Sequence, residues 1–201
     1  MKTRAVLGVG LSAMLVCGAW VRIGAAATNY VDAACTNPVP PYTSWGTAAK
    51  ALPAALGVAA AGNTVLVTNG VYVVSNQVFV TNGVVLRSVN GAAATTVKGA
   101  YPASTNRCFY LGGSNSVIDG FTITNGWAVG DDWPDNTGGG VFVAGPGGVV
   151  QNSVLSGNSA GSGGGLTLDA AATVRDCIIE GNRADWAGGG VLTETNGILQ
   201  N

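Results

Sequence analysis

Short apolar runs of strand length, separated by turns, recur along the second half of the chain. Successive units place these runs at residues 141–143, 149–150 and 153–155, and then at residues 166–168, 173–174 and 177–179. No run has the length or the 3.6-residue period of a helix. The intervening segments are rich in Gly, Asn, Pro and Ser, which favour tight turns. The pattern therefore predicts short β-strands joined by sharp bends.

A glycine triplet marks the period of this pattern. The triplets begin at Gly138, Gly163 and Gly188, so the two intervals between them are equal. The motif V-x-N-S-x-L-x-G-N from Val150 recurs as V-x-D-C-x-I-x-G-N from Val174, and a third copy begins at Leu199. A weaker copy occupies residues 117–126. A fixed period within the range of about 20 to 50 residues indicates a solenoid.

The repeats predict an all-β parallel β-helix with coils of about 25 residues. Each circuit of short strands advances by one strand spacing, about 4.8 Å, and pairs with its neighbours. Equivalent residues then form columns. We expect Val141, Leu166 and Val191 to stack inside the coils, and Leu155 to stack on Ile179.

The repeated turn residues have a sufficient structural cause. We expect the first glycines of the triplets to lie where a turn enters a strand, because glycine adopts positive φ and allows close backbone approach. Asn158 and Asn182 tolerate the same left-handed geometry, and their stacked amides could form a hydrogen-bonded ladder. Asp176 replaces Asn152 one coil later, and both suit a bend. No phosphate-binding GxGxxG or GxxxxGK[ST] frame follows the triplets.

A short helix is predicted ahead of the coils, between residues 52 and 62. Pro53 suits the first position of a helix and Gly62 suits its end. Leu52, Leu56 and Ala59 share one face of that helix. Because a solenoid exposes its core at each end, we interpret the segment as an N-terminal capping helix. The chain stops inside a repeat without a second cap, so we expect it to be part of a longer protein.

The N-terminal residues have the pattern of a secretory signal. Lys2 and Arg4 precede an apolar stretch at residues 5–21, and small residues follow at 24–27. An uncleaved anchor is the alternative, although a membrane-spanning helix needs about 20 residues. We expect export, with no transmembrane segment in the mature fragment. The predicted segments are the signal peptide at 1–27, the first strand and capping helix at 28–61, and the coils at 62–201.

Composition excludes several classes of function. The chain contains no histidine, which removes Ser-His and Cys-His nucleophiles and His-ligated metals. Loss of the signal removes Lys2, Arg4 and Arg22 from 9 basic residues, so 6 remain against 10 acidic ones. This balance argues against a nucleic-acid partner. In an oxidising compartment a Cys35–Cys108 disulfide is possible, with Cys177 left over.

Two parts of the sequence resemble known β-helix proteins. The entry segment YVDAAC…TSWGTAAKALPAAL…AAGNTVLVTNGVY is similar to that of bacterial pectin-lyase-like right-handed β-helix proteins. The repeats GGGV and GGGL, with SGNSA and EGNRA, resemble the coils of polymorphic outer membrane proteins and other autotransporter-like surface proteins. The resemblance implies a right-handed parallel β-helix that is exported and often displayed on the cell surface. It implies no single activity, because the fold serves enzymes and adhesins alike.

The insertion WAVGDDWPDNTG, residues 127–138, concentrates candidate chemistry. Carboxylates that could bind Ca²⁺, the one cofactor we consider, belong to Asp131, Asp132 and Asp135. Tryptophans that could stack on sugar rings are Trp127 and Trp133, together with Trp186 in a later coil. The alternative is a solvated loop with no ligand.

The leading functional hypothesis is an exported, non-catalytic stalk or adhesin-like passenger with glycan-binding loops. Its partner would be a polysaccharide or the surface of a host or neighbouring cell. The rival is a polysaccharide lyase or glycoside hydrolase whose active residues lie partly beyond Asn201. Hydrolysis would need two carboxylates about 5 to 9.5 Å apart, and the sequence identifies no catalytic residue. A structural repeat protein without a ligand is the third possibility.

Overall fold

The computed structural model describes residues 26–81 and 83–201. In these residues the chain winds into stacked coils whose strands form four parallel sheets. The predicted signal peptide lies outside the described residues, apart from Ala26 and Ala27. Within the described ranges, no helix is long and apolar enough to cross a membrane.

Each sheet collects one strand from successive coils. Sheet A contains, in spatial order, β1 (Thr28–Val31), β2 (Thr64–Val67), β5 (Val85–Ser88), β8 (Val117–Asp119), β12 (Val149–Gln151), β16 (Thr173–Arg175) and β20 (Ile198–Gln200). Sheet B contains β3 (Gly70–Val74), β6 (Thr95–Gly99), β9 (Thr122–Thr124), β13 (Val154–Ser156) and β17 (Ile178–Glu180). Sheet C contains β4 (Val78–Val80), β7 (Phe109–Leu111), β11 (Val141–Val143), β15 (Leu166–Leu168) and β19 (Val191–Thr193). Sheet D contains β10 (Trp127–Ala128), β14 (Ser159–Ser162) and β18 (Arg183–Ala187).

The pairing register confirms the predicted columns. Val141 pairs with Leu166 and Leu166 with Val191, while Leu155 pairs with Ile179. The interval between these partners matches that between the glycine triplets to within one position. The earlier coils differ in length. The number of residues from Thr64 to its partner Val85 is smaller than the spacing of the glycine triplets, and the number from Val85 to its partner Val117 is larger. The period therefore describes only the C-terminal coils.

The hydrophobic core fills the inside of the coils. In sheet C the first and last residues of each three-residue strand point inward, because side chains alternate along a strand. Val78, Val80, Phe109 and Leu111 are fully buried in this way. The middle residue of each of these strands consequently projects from the outer face of sheet C.

The predicted capping helix is present but short. Helix α1 spans Leu52–Leu56 and contacts the first strands of sheets A and C. Leu52 and Ala55 are buried, whereas Leu56 is only partly buried. The helix ends before Gly57, whereas the prediction extended it to residue 62. Its buried side chains therefore lie within a single turn and do not form the longer apolar face that was predicted. A 3-10 turn, Trp45–Thr47, precedes the helix.

The glycine triplets occupy the turns that lead into sheet C. Gly138, Gly163 and Gly188 have φ of 63°, 59° and 64°, in the left-handed region. The later triplet positions lie against the next coil: a Cβ atom at Gly165 would be 2.6 Å from the carbonyl oxygen of Gly190. Both conditions favour glycine.

Asn158 and Asn182 form an amide ladder and do not act as left-handed bends. Asn158 is buried, and its Nδ2 donates to Asn182 Oδ1 at 3.0 Å. Asn158 Oδ1 accepts the backbone N–H of Gly126 at 3.0 Å. The left-handed conformation predicted for the two asparagines lies at the preceding residues, Gly157 and Gly181, with φ of 63° and 59°. Glycine adopts this conformation at lower cost than asparagine.

The predicted Cys35–Cys108 disulfide is not formed, and both residues are free cysteines. Cys35 Sγ lies 3.7 Å from the carbonyl oxygen of Gly46 in the entry segment. Cys108 Sγ lies 3.4 Å from the carbonyl oxygen of Thr124, inside the coils. Burial raises the pKa of the Cys108 thiol to about 12, so this thiol stays protonated at neutral pH. Cys177, the other free cysteine within residues 26–81 and 83–201, is partly buried.

Candidate functional site

Aromatic side chains form a row on the outer face of sheet C. Phe79, Tyr110 and Phe142 are the middle residues of β4, β7 and β11, and the strand register places them side by side. The ring centroids are 5.4 Å apart for Phe79 and Tyr110, and 5.5 Å apart for Tyr110 and Phe142. Trp133 adds a fourth ring, edge-on to Phe142 at 5.8 Å. We call these four side chains the aromatic row.

Most of the aromatic row is open to solvent. Phe79 is 53% exposed and Trp133 is 45% exposed, while Tyr110 is half-buried. Phe142 is buried, with Trp133 and Arg107 packed against its ring. The row therefore presents three accessible rings, and Phe142 supports them from below. Adjoining exposed aromatic rings are typical of a binding surface.

A polar cleft lies beside the aromatic row, at the start of β4 and β7. Its lining residues include Gln77, Thr105, Asn106, Arg107, Gly130 and Asp135. Arg107 is only 4% exposed. Its Nη2 donates to the carbonyl oxygen of Pro134 at 2.6 Å, and its Cζ lies 4.9 Å from the centroid of the Phe142 ring. A cation–π contact thus joins the polar cleft to the aromatic row.

The charge of Arg107 is held without a direct ion pair. In the described part of the chain, the ion pairs within 4.0 Å join Arg87 to Asp119 and Arg183 to Asp185. Burial lowers the pKa of Arg107, and electrostatic interactions with Asp135 and Tyr110 partly oppose that change. The other guanidinium N–H groups of Arg107 have no partner among the described residues, and Arg107 lines the polar cleft, so they can donate to a ligand there.

The structure does not gather the three tryptophans predicted from the sequence. Trp133 joins the aromatic row. Trp127 lies in β10 of sheet D and stacks on Tyr101, with centroids 4.0 Å apart and ring planes inclined by 9°. Trp186 lies two strands away in β18, where it is 71% exposed. The predicted sugar platform is therefore distributed over two faces of the solenoid.

The predicted calcium site at Asp131, Asp132 and Asp135 is not assembled. Across residues 26–81 and 83–201, no three Asp, Glu, Cys or His side chains come close enough together to hold a metal ion. Asp131, Asp132 and Asp135 are all exposed to solvent, and Asp135 borders the cleft that contains Arg107. A neighbouring guanidinium disfavours a cation at Asp135.

Phe79 and Tyr110 are not among the site residues predicted from the sequence. Both lie within apolar runs, which by themselves do not distinguish a buried from an exposed aromatic ring. The available signal is the alternation within V-F-V and F-Y-L, where the middle residue must face outward if its neighbours face the core. The paired rings are farther apart in the sequence than successive glycine triplets are, so the period of the triplets conceals the row.

Comparison with known proteins identifies the architecture. No protein-family model matches the chain, and no curated protein matches it. A pectin methylesterase structure in complex with hexasaccharide VII is 16% identical, with a TM-score of 0.52, and the match covers 88% of this chain and 67% of that one. A mutant pectin methylesterase in complex with hexasaccharide IV is 16% identical, with a TM-score of 0.47, and the match covers 76% of this chain and 50% of that one. Pectin methylesterase PemA from Erwinia chrysanthemi is 16% identical, with a TM-score of 0.49, and the match covers 87% of this chain and 66% of that one.

The chain thus spans between half and two thirds of the length of these solved structures. At 16% identity the likeness concerns the fold alone. Together with the four parallel sheets, it confirms the predicted fold: the chain is a pectin-lyase-like, right-handed parallel β-helix with an N-terminal capping helix.

Proposed function

We propose that the protein binds a polysaccharide along the aromatic row. The observation that carries this proposal is the alignment of aromatic rings over successive coils. Phe79 and Trp133 are exposed and Tyr110 is half-buried, so all three are accessible to a ligand. The C–H groups of a pyranose face pack well on an aromatic ring, whose face carries partial negative charge. A row of such rings fits a linear chain of sugars better than a single small molecule.

The geometry of the row suits a ligand that runs along the solenoid axis. The accessible rings of Phe79 and Tyr110 are 5.4 Å apart, which is comparable with the length of one sugar residue in an extended polysaccharide. The polar cleft offers hydrogen bonds to the hydroxyl groups: the Gln77 amide donates and accepts, and Arg107 donates. Asn106 adds an acceptor, its Oδ1, because its Nδ2 already donates to Ser75 and Ser104. An apolar platform with a few fixed polar groups is the usual composition of a ligand site.

The comparison with known structures supports this proposal at the level of the fold. The pectin methylesterase with a TM-score of 0.52 is in complex with a hexasaccharide. A β-helix of this kind can therefore accommodate an oligosaccharide, although a shared fold does not by itself transfer a function.

Calorimetric titration with neutral and acidic oligosaccharides tests the proposal. We expect Phe79→Ala and Tyr110→Ala each to weaken the best ligand roughly tenfold, because each removes an aromatic anchor. Trp186→Ala is the matched control, since it removes an exposed ring outside the row. Unchanged affinity in Phe79→Ala and Tyr110→Ala, or an equal loss in Trp186→Ala, would contradict the proposal.

The role we propose for this binding is non-catalytic display. The signal-like residues 1–27 favour export, and a stack of coils forms a rod whose outer faces remain accessible. The protein would then act as an adhesin-like stalk that holds a cell or its surroundings through polysaccharide. Recovery of the chain outside the cytoplasm, with an N-terminus near residue 28, is the expected result of expression with its own leader, and retention of the leader in the cytoplasm would contradict it.

A polysaccharide lyase is the second candidate, and Arg107 is the observation that favours it. A lyase needs a basic residue that abstracts a proton, and Arg107 lines the polar cleft with its guanidinium against the Phe142 ring of the aromatic row. A glycosidase is less favoured because Asp135 is the only carboxylate among the described lining residues of the polar cleft. New unsaturated chain ends that appear with the parent protein and not with Arg107→Lys would replace the binding proposal with the lyase.

A further inference from the structure

A second open pocket lies at a corner of the solenoid, after the first three strands of sheet A. Its lining residues are Asp32, Trp45, Thr68, Asn69, Val89 and Asn90. Val31 pairs with Val67, and Val67 pairs with Ser88. Because these strand ends are in register, the residues that follow them stack at one place. We call this site the indole pocket; the aromatic row lies on a different sheet.

Trp45 forms the apolar wall of the indole pocket. It belongs to the 3-10 turn that precedes the capping helix. Its ring packs edge-on against Tyr30, with centroids 4.4 Å apart and planes inclined by 68°. This contact holds the indole in place, and 41% of the residue remains exposed. An anchored and accessible indole can receive one face of a sugar ring.

The polar side chains of the indole pocket hydrogen-bond to one another and to the nearby backbone. Asn90 Nδ2 donates to Asn69 Oδ1 at 2.8 Å, which leaves Asn69 Nδ2 as a donor and Asn90 Oδ1 as an acceptor. Asp32 Oδ1 accepts from the backbone N–H of Ala34 at 2.9 Å and from Thr68 Oγ1 at 3.4 Å. The remaining oxygen, Asp32 Oδ2, has no hydrogen bond within the described residues, and the same is true of the two free amide atoms.

We propose that the indole pocket is a second carbohydrate site, specific for a neutral pyranoside. Sugar hydroxyls both donate and accept, so they match one free donor at Asn69 and acceptors at Asn90 and Asp32. Among the described residues, the pocket lining contains the carboxylate of Asp32 and no Lys or Arg, which disfavours uronate or sulfated sugars. The aromatic row, beside the guanidinium of Arg107, carries no such restriction.

The test uses cellohexaose and hexagalacturonate as neutral and acidic probes in calorimetric titrations. The Phe79→Ala/Tyr110→Ala background keeps the aromatic row from contributing. In that background we expect cellohexaose to bind more tightly than hexagalacturonate. We also expect Trp45→Ala to weaken cellohexaose binding roughly tenfold. Asn90→Ala, a change at an exposed polar residue, should weaken it severalfold without affecting the packing around Tyr30.

A separate variant, Asp32→Asn, tests the preference of the indole pocket for neutral over acidic sugars. Asp32→Asn keeps an oxygen for Ala34 and Thr68 and removes the negative charge, so hexagalacturonate binding should increase severalfold. Unchanged cellohexaose affinity in both Trp45→Ala and Asn90→Ala would overturn the proposal, as would equal affinity for the two probes before Asp32 is changed. These outcomes are separate from the test of the aromatic row, which depends on the parent protein and on Phe79→Ala.

Discussion

Asp119 lies within a polar ladder on the outer face of sheet A. The register places it beside Arg87 in one neighbouring coil and Gln151 in the other. Arg87 Nε donates to Asp119 Oδ2 at 2.8 Å, and Asn152 Nδ2 donates to Asp119 Oδ1 at 2.8 Å. Burial alone would raise the pKa of Asp119, but the hydrogen bonds from Asn152 and Gln151 and the charge of Arg87 outweigh it and lower the pKa.

Acid should therefore remove a measurable part of the stability through Asp119. Its folded pKa lies below the unfolded value of about 3.9. The contribution is thus complete above that unfolded value and is lost as the pH falls through the folded one. We expect Asp119→Asn to lower the free energy of unfolding by about 1–3 kcal/mol at pH 7, and to flatten the acid dependence below the unfolded value.

Thermal and urea unfolding between pH 2 and 7 measure this effect. Asp132→Asn is the matched control, because it removes the same charge from an exposed side chain with no hydrogen bond in the described structure. Parallel acid profiles for Asp119→Asn and the parent protein would show that the ladder does not contribute as argued.

Local conformation was predictable at single residues, whereas contacts across the chain were not. Asn152 and Asp176 were predicted as bend residues, and their φ values are 51° and 52°. The pairing of Cys35 with Cys108 was wrong, because it depends on a distance across the fold that residue types do not report. The same limitation applies to Asp135, whose neighbour Arg107 lies well before it in the sequence.

Among the structural elements, the turns before sheet C allow two equivalent glycines in consecutive coils to be compared. Gly165 and Gly190 are the third glycines of consecutive triplets. A Cβ atom at Gly165 would lie 2.6 Å from the carbonyl oxygen of Gly190 and 2.8 Å from Asn182 Nδ2. A Cβ atom at Gly190 would meet only Ile179 Cγ2, at 3.4 Å. The two positions thus share a sequence context and differ in the space around them.

We expect Gly165→Ala to lower the free energy of unfolding by about 2–3 kcal/mol, because backbone atoms of the next coil cannot move away cheaply. Gly190→Ala should change it by no more than about 0.5–1 kcal/mol in either direction. Chemical denaturation of the two variants measures the difference. Equal losses would mean that coil-to-coil contact does not select these glycines.

Which strands were predictable depended on their composition. The apolar runs around Val150 and Leu155 predicted β12 and β13 because they alternate inward and outward positions. Strands β14 and β18 of sheet D were missed, since their sequences SAGS and RADWA lack an apolar alternation. Hydrogen bonding to the neighbouring coils makes them strands, and this cause cannot be read from a single segment.

At the scale of the whole molecule, the repeat determined the fold but concealed the candidate site. A solenoid of stacked coils followed from the fixed period of the glycine triplets and a few turn types. The aromatic row belongs to earlier coils that are longer than this period, and its rings come together only after the register is known. A binding site on the outer face of a solenoid depends on this register, so its residues are harder to predict from the sequence than the fold is.

Polysaccharide binding along the aromatic row is tested most directly by a crystal structure of the protein with the oligosaccharide that binds most tightly. We predict that consecutive sugar rings lie on Phe79 and Tyr110, with the glycan running along the solenoid axis and hydroxyl groups bonded to Arg107 or Gln77. A bound glycan whose rings lie only on Trp127 or Trp186 of sheet D, with the aromatic row bare, would contradict the account.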